Sequence, residues 1–182
     1  VQKVLQELFD RGEIYADTYE GWYCVSDEIF YTEKELVDGK SPTGREVQRI
    51  TEKNYFFRMS RYQQKLIQYI NEHPEYIQPE SRRNEVLGFL RQPLSDLCIS
   101  RPKSRLNWGI EIPFDHDYVT YVWFDALLNY ATGVGLYQEQ RKAEFDQWWV
   151  KGSPVHLIGK DILTTHAVYW STMLLALGVS LP

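Results

Sequence analysis

The sequence predicts an α/β protein built on a doubly wound parallel sheet, with a small β-rich module ahead of it. From residue 96 onward, short apolar segments alternate with helical ones, which is typical of a sheet covered by helices. Residues 14–57 are instead rich in β-formers and are interrupted by turn signals. With 182 residues, 43% of them hydrophobic, the chain is long enough to bury a core.

The α/β region carries the predicted strands that would position a ligand. Strands are expected at 97–100, 118–124 and 155–159, and helices at about 125–133, 140–150 and 163–177. Ligands of doubly wound sheets bind at the carboxyl ends of the strands. Two clusters lie at such ends: Trp123, Asp125 and Ala126, and Gly159, Lys160 and Asp161.

Helices are also predicted in the first half of the chain. Residues 1–12 carry an apolar face and end at Gly12, which is a helix stop signal. A second helix is predicted over residues 60–72 and a third one after Ser81, with Pro93 ending it. In the β-rich module, Glu46 to Ile50 alternates as a strand does, and Thr32 with Glu35 fits a capping box.

Composition excludes several kinds of site. The formal net charge of -5 disfavours a dedicated nucleic-acid surface, although the basic residues at 82–83 and 101–105 are candidates for local patches. Cys24 and Cys98 alone can build neither a disulfide framework nor a four-ligand zinc site. The sequence carries no signal-peptide pattern and no apolar run of about 20 residues, so we expect a cytoplasmic location.

The segment 159–170 has the composition of a ligand pocket. Gly159 permits close backbone approach, Asp161 lies near unpaired helix N–H groups, and His166 and Trp170 share a helix face. Asp161 would then bind hydroxyl or ammonium groups, and His166 would donate to a phosphate or carboxylate. On spacing alone, a helix cap followed by a core histidine and a core tryptophan is the better interpretation. A structural role is also the better interpretation for three further residues taken singly: Trp123, Tyr130 and Glu111.

Longer segments carry a resemblance to a known family. IQPESRRNEVLGFL (77–90), DLCISRPKSRLNWGIEIP (96–113), YVWFDALLNY (121–130) and HLIGKDILTTHAVYW (156–170) together resemble bacterial methionyl-tRNA synthetases, which are class I aminoacyl-tRNA synthetases. GWYCVSDEIFYTEKEL and NYFFRMSRYQ extend the similarity over essentially the whole chain. Several long segments in the right order are more specific than one short motif.

The resemblance implies a four-part organisation. Residues 1–13 would be a helix of the catalytic domain that leads into an insertion, and residues 14–58 would be the inserted connective-peptide module, a metal-free knuckle. Residues 59–95 would be a helical linking region. Residues 96–182 would form the second half of the doubly wound, Rossmann-like catalytic domain with its parallel sheet.

The family implies an ATP-dependent ligase. Methionine and ATP, with Mg²⁺, form methionyl-adenylate, and the methionyl group then passes to tRNA(Met). Matching motifs assign the methionine side to these residues: Arg101, Trp123, Ala126, Leu127, Tyr130, Ile162, His166 and Trp170. They assign the ATP and adenylate side to Glu111, Gly159, Asp161 and His166. His166 is therefore expected to contact both substrates, and Asp161 is expected near the ribose. The family sometimes has Pro at the position of Leu127, but Leu also lines an apolar pocket, and aromatic walls suit a thioether.

The metal site of some family members is interrupted in this sequence. Those members carry Cys-x-x-Cys near GWYC and a second ligand pair near SPTG. Here Asp27 stands in place of the second Cys, and residues 41–44 contain neither Cys nor His. Cys24 alone is an improbable metal ligand, so we predict a zinc-free knuckle held by turns and a small core.

The sequence also departs from the family in its signature motifs. It contains neither a HIGH-like nor a KMSKS-like motif, which stabilise the transferring phosphates electrostatically. The chain begins inside an amphipathic helical pattern, so we expect an excised fragment. No complete catalytic set is predicted, and we expect that the chain alone neither forms adenylate nor charges tRNA.

Three alternative functions are weighed against this one. A synthetase for Leu, Ile or Val would share the class I fold, but it would carry a large editing insertion in place of the compact module at 14–57. A non-catalytic tRNA-binding or scaffolding module is disfavoured by the net charge of -5. A generic nucleotide binder lacks the usual GxGxxG or P-loop pattern. The expected partners are therefore methionine, ATP and tRNA(Met), without membrane contact, and the oligomeric state is left undetermined.

Overall fold

Helices and strands are mixed along the chain, so the fold class is α/β, as predicted. The structure is a computed structural model that describes residues 1–26, 29–31, 33–120 and 123–182. The chain divides into two compact units. Ala16–Tyr55 forms the smaller unit, and Val1–Tyr15 together with Phe56–Pro182 forms the larger one. The four-part organisation implied by the resemblance stays a prediction.

The elements are numbered in chain order. The α-helices of the described residues are α1 (Gln2–Asp10), α2 (Gln63–Glu72), α3 (Glu80–Phe89), α4 (Trp123–Gly133), α5 (Lys142–Phe145) and α6 (Ser171–Leu177). The strands are β1 (Ile14–Cys24), β2 (Ile29–Tyr31), β3 (Gln48–Phe57), β4 (Leu97–Cys98), β5 (Ser100–Pro102), β6 (Ile110–Ile112) and β7 (Asp115–Thr120). No helix in these described ranges is long and apolar enough to cross a membrane.

Helix α1 forms and ends as its sequence predicts. Val4, Leu5 and Leu8 recur at helical spacing and are almost completely buried. Gly12 follows the helix with φ of 70°, a left-handed conformation that glycine adopts without steric cost. Its N–H donates to the carbonyl of Phe9 at 2.9 Å, which satisfies one of the last carbonyls of the helix.

The three-stranded sheet of the larger unit has the order β5-β7-β6, and both pairings are antiparallel. Arg101 and Glu111 both lie opposite Val119, on the two sides of the central strand. The buried hydroxyl of Thr120 donates to the carbonyl of Ile99 at 2.7 Å, which ties the end of β7 to the start of β5. This sheet therefore places the two charged residues on its opposite edge strands, with β7 between them.

Two predicted strands differ from the structure. The strand expected over 118–124 ends at Thr120, and helix α4 already begins at Trp123, with Asp125 in the first turn, where a carboxylate is favourable. The segment 155–159 is not a strand, so that prediction was wrong. A strand needs a neighbour for its N–H and C=O groups, and no strand among the described residues pairs with this segment. Every pairing described here is antiparallel, so the expected parallel ladder is not among them.

Helix starts in the first half also differ in detail. The Ser60 prediction shifts because a 3₁₀ turn, Met59–Tyr62, precedes α2, which begins at Gln63. Helix α3 begins at Glu80 rather than after Ser81, and its N-terminus has no side-chain cap. At the other end of α3, the Gln63 amide donates to the carbonyls of Leu90 and Gln92 at 2.8 and 2.7 Å.

The smaller unit is a β-rich module, as its composition predicts. Strands β1 and β2 pair antiparallel, with Trp22 opposite Tyr31. The strand predicted to begin at Glu46 begins at Gln48 and runs further, to Phe57. The predicted capping box lies outside the described residues at Thr32.

The core of the larger unit is built by aromatic and leucine side chains that are fully or nearly fully buried. They include Phe57, Leu66, Phe124, Leu128 and Trp170. Phe57 and Phe124 meet edge to face, with ring centroids 6.1 Å apart. The Tyr76 hydroxyl lies 2.7 Å from Ser171 Oγ, and burial raises the pKa of Tyr76 to about 12. The tyrosine therefore stays neutral and hydrogen bonded at physiological pH.

Leu128→Ala and Leu157→Ala form a matched pair that tests this core. Leu128 is 0% exposed and Leu157 is 94% exposed. We expect Leu128→Ala to lower the free energy of unfolding by about 2–5 kcal/mol, because it leaves a cavity. Leu157→Ala should change it by less than about 0.5 kcal/mol. Urea denaturation measures both, and equal effects would contradict the described packing.

Candidate functional site

Helix α4 brings one set of predicted residues to the site. Trp123 opens the helix with 37% of its surface exposed, and Tyr130 follows two turns later, half-buried. Ala126 lies between them and is exposed, whereas Leu127 is 1% exposed and belongs to the core. Because residues three, four and seven apart share a helix face, Trp123, Ala126 and Tyr130 lie on the same side of α4.

The segment before α6 brings the second set. Lys160–Ile162 forms a 3₁₀ turn, and Thr165–Trp170 forms a π-helical stretch that continues into α6. The predicted helix over 163–177 is thus present, but its first part is π-helical. Such stretches are rare and frequently mark functional sites.

Aromatic rings from the two sets converge on Tyr130. Its ring centroid lies 4.4 Å from that of His156, 5.6 Å from that of His166 and 6.3 Å from that of Trp170. Trp123 joins them with its ring 6.3 Å from His166 in an edge-to-face arrangement. We call these five residues the ring cluster. Four of them were predicted from the family motifs.

The hydrogen bonds of His166 define its neutral tautomer. His166 Nδ1 lies 2.9 Å from the carbonyl oxygen of Ile162, which can only accept, so Nδ1 carries the proton. In the neutral ring Nε2 then holds a lone pair, and the Tyr130 hydroxyl donates to it across 2.9 Å. Both side chains are thereby oriented, and the lone pairs of the tyrosine oxygen are left for a ligand donor.

His156 belongs to the ring cluster although sequence reasoning did not select it. The Trp170 indole N–H donates to His156 Nε2 across 3.2 Å. Burial lowers the pKa of His156, and the nearby His166 lowers it further. His156 opens one of the segments that carry the family resemblance, and this was the only available signal.

Gly159 and Asp161 lie at the exposed end of the same segment. Gly159 has an extended backbone, with φ of -71° and ψ of 154°, so it is not required there for a left-handed turn. A Cβ at this position would instead lie 2.6 Å from Asp161 Oδ1. Glycine therefore leaves room for the carboxylate to lie over the turn, where it is accessible to a ligand.

Arg101 and Glu111 lie on the three-stranded sheet. Arg101 Nη1 donates to the carbonyl of Ser100 at 2.7 Å and to Cys98 Sγ at 3.3 Å. The Glu111 carboxylate accepts hydrogen bonds from Lys103 and His116, and both bonds lower its pKa. Among the described contacts, Glu111 thus belongs to a charged group of its own, separate from the ring cluster.

The predicted knuckle contains a hydrogen-bonded turn at residues 41–45, where the family resemblance implies metal ligands in some members. Ser41 Oγ lies 2.8 Å from Thr43 Oγ1 and accepts from the Arg45 N–H at 3.1 Å. Cys24 is buried with a free thiol, and Asp27 lies outside the described residues. Within the described ranges no group of three or more His, Cys, Asp or Glu residues is arranged to hold a metal ion. A zinc-free knuckle stays a prediction.

Lys103→Met tests the charged group at Glu111. Because the hydrogen bond from Lys103 is the largest cause of the lowered Glu111 pKa, its removal should raise that pKa toward the usual value of 4.5. NMR titration of the Glu111 side-chain carboxyl carbon measures the change. Lys151→Met is the control, since Lys151 is exposed and distant in sequence. An unchanged Glu111 pKa in Lys103→Met would contradict the described geometry.

Comparison with known proteins identifies the family. The sequence model described as tRNA synthetases class I (M) matches residues 1–50 and 43–182. The methionine–tRNA ligase of Clostridium perfringens is 52% identical over 184 residues, covering 100% of this chain and 28% of the relative. That of Caldanaerobacter subterraneus subsp. tengcongensis is 50% identical over 183 residues, with the same coverage of 100% and 28%. The chain thus spans about 28% of the length of these curated relatives.

A solved structure agrees with these sequence matches. Mycobacterium tuberculosis methionyl-tRNA synthetase in complex with methionyl-adenylate superimposes with a TM-score of 0.84 at 42% identity. The match covers 100% of this chain and 36% of that one. Sequence, family model and fold therefore agree along the whole chain, which belongs to the class I tRNA synthetases of the group designated M.

Proposed function

We propose that this chain forms the methionine-binding part of a methionine–tRNA ligase and contributes to its adenylate site. The observation that carries the proposal is the ring cluster, in which Trp123, Tyr130, His166 and Trp170 meet although α4 and the 160–177 segment are separate in sequence. The family match and the names of the relatives supply the substrate class.

The ring cluster suits a thioether side chain. Methionine is unbranched and polarizable, and its sulfur makes favourable contacts with aromatic rings. The partly exposed Trp123 presents its ring at the rim, while His166 and Trp170 are buried behind it. The Tyr130 hydroxyl donates its hydrogen bond to His166, so the lone pairs of its oxygen can accept from a donor such as the methionine ammonium group. Ile162, Leu127 and Ala126 add apolar surface, and Arg101 is proposed near the methionine carboxylate.

The exposed turn at 159–161 suits the nucleotide. Asp161 would accept hydrogen bonds from ribose hydroxyl groups, and Gly159 would let the ligand approach the backbone closely. His166 stands between the two substrates because it is bonded to Tyr130 on one side and follows the turn on the other. Glu111 is proposed as a further nucleotide-side contact. Mg²⁺ would enter with ATP as part of the substrate.

The proposed reaction has two steps. Methionine and ATP form methionyl-adenylate with release of pyrophosphate, and the methionyl group then passes to tRNA(Met). The residues of this chain would bind and orient methionine and the adenosine part. The donors that stabilise the transferring phosphates in this family lie in HIGH-like and KMSKS-like motifs, which this sequence does not contain.

Trp123→Ala tests the methionine pocket. We expect the chain to bind methionine in titration calorimetry, and we expect Trp123→Ala to weaken binding by at least about tenfold, because a ring that covers the ligand is lost. Trp148→Ala is the matched control, since Trp148 is 58% exposed and lies outside the ring cluster. Leucine, isoleucine and valine should bind more weakly than methionine. A folded chain that binds none of the four would refute the pocket, and a preference for one of the other three would favour a sibling synthetase.

A second assay tests how much of the reaction the chain supports. We expect no methionine-dependent exchange of pyrophosphate into ATP with the purified chain, because the phosphate-stabilising motifs are absent from the sequence. Exchange above background that disappears in Trp123→Ala would show that these 182 residues suffice for activation.

A further inference from the structure

His156 connects three members of the ring cluster. Its ring packs against Tyr130 at 4.4 Å, lies 6.4 Å from His166, and accepts a hydrogen bond from Trp170. Trp149 packs on the far side, with ring centroids 6.1 Å from His156 and 6.0 Å from Trp170. His156 thus adjoins three of the residues proposed to bind methionine.

The bond to Trp170 determines the protonation of His156. An indole N–H can only donate, so His156 Nε2 must hold a lone pair, and the proton of the neutral ring must be on Nδ1. Trp170 is 0% exposed. An indole N–H left unpaired at such a position loses its hydration without compensation. His156 is therefore the acceptor that satisfies a buried donor of the pocket wall.

We propose that His156 is a positioning residue of the methionine pocket, which as a neutral ring with its proton on Nδ1 holds Trp170 and Tyr130 in place and keeps the Tyr130 hydroxyl on His166. The proposal rests on the proposed function for its ligand. It assigns His156 no contact with the substrate. His156 acts through Trp170 and Tyr130, which are proposed to contact the substrate.

A protonated His156 cannot play this role. The added proton would occupy Nε2, so the ring would lose its only acceptor nitrogen and would face the Trp170 N–H with a like donor. A cation would also lie beside His166. Acid should therefore weaken the pocket through His156.

Few other groups titrate near His156. The described residues around the cavity of about 570 Å³ that His156 lines include the titratable groups Tyr69, Glu75, Tyr76 and His166. Burial raises the pKa of both tyrosines, so they stay neutral below pH 8. The pKa of Glu75 is lowered, first by a backbone hydrogen bond, so this carboxylate is already charged above pH 5. Tyr69, Tyr76 and Glu75 therefore keep their charge between pH 5 and 8.

The direction of the pH effect follows from the lowered pKa of His156. The unfolded chain binds this proton at the usual pKa of 6.5, whereas the folded chain binds it only at lower pH. Stability from the neutral ring is therefore complete above pH 6.5 and is lost as the pH falls through the folded pKa. The affinity for methionine should decline over the same acidic range.

NMR of the chain tests the protonation directly. Long-range ¹H–¹⁵N spectra at pH 7.5 should show His156 neutral with its proton on Nδ1, and the Trp170 indole N–H should move markedly in His156→Phe but little in His156→Gln. Phenylalanine keeps a ring without an acceptor, whereas the glutamine Oε1 reaches the place of Nε2. A proton on Nε2, or an indole signal unchanged in His156→Phe, would overturn the assignment.

Calorimetry from pH 5 to 8 tests the effect on the ligand. His156→Phe should weaken methionine binding by about three- to tenfold at pH 7.5, because one buried hydrogen bond is lost. His156→Gln should stay within about threefold of the parent chain and lose the decline at acid pH. His73→Gln, at an exposed histidine, should keep the parent profile. Equal loss in both His156 variants, with the acid decline unchanged in His156→Gln, would mean that His156 only fills space.

The experiments distinguish a failure of the proposed methionine binding from a failure of the His156 assignment. If the parent chain does not bind methionine, the proposed function fails for this chain, while the His156 protonation and the Trp170 signal still decide the assignment. If the parent chain binds methionine but His156 carries its proton on Nε2, the positioning role is wrong and the proposed function stands.

Discussion

The hydrogen bond from the Tyr130 hydroxyl to His166 is the interaction on which the candidate site depends. It joins helix α4 to the segment that leads into α6, across 36 residues of sequence. It forms only because His166 Nδ1 donates to the Ile162 carbonyl, which leaves Nε2 as the acceptor. A backbone carbonyl thus determines which way a tyrosine hydroxyl points, and through it the polarity that a ligand meets.

Buried aromatic rings pack around this hydrogen bond and restrict the movement of its side chains. Trp170 is fully buried and contacts both Tyr130 and Trp149, so the wall behind Tyr130 has little freedom to move. A buried indole N–H without a hydrogen-bond acceptor would destabilise such a wall. His156 accepts from the Trp170 indole, and the carbonyl of Ser180 accepts from the Trp149 indole at 2.9 Å. Both buried indole N–H groups of the pocket wall are therefore paired.

The smaller unit, Ala16–Tyr55, contains a turn that is closed by local hydrogen bonds. The Ser41 and Thr43 hydroxyls and the Arg45 N–H form this turn. An ion pair between Arg49 and Glu20, with 2.7 Å between nitrogen and oxygen, adds to it at the surface. Exposed pairs of this kind contribute little, so the turn and the buried Cys24 and Tyr55 are the stronger contributions.

The sequence by itself determined the fold class, the β-rich module, the helix at 1–12 with its Gly12 stop, and four of the five ring-cluster residues. Local propensity and long family motifs depend on residues that are close together in the sequence, so a single sequence is enough to identify them. Tertiary structure alone decided that the segment at 155–159 is not a strand and that His156 joins the cluster. Strand pairing and a buried donor's need for an acceptor depend on groups far apart in sequence, and periodicity does not encode which of them meet.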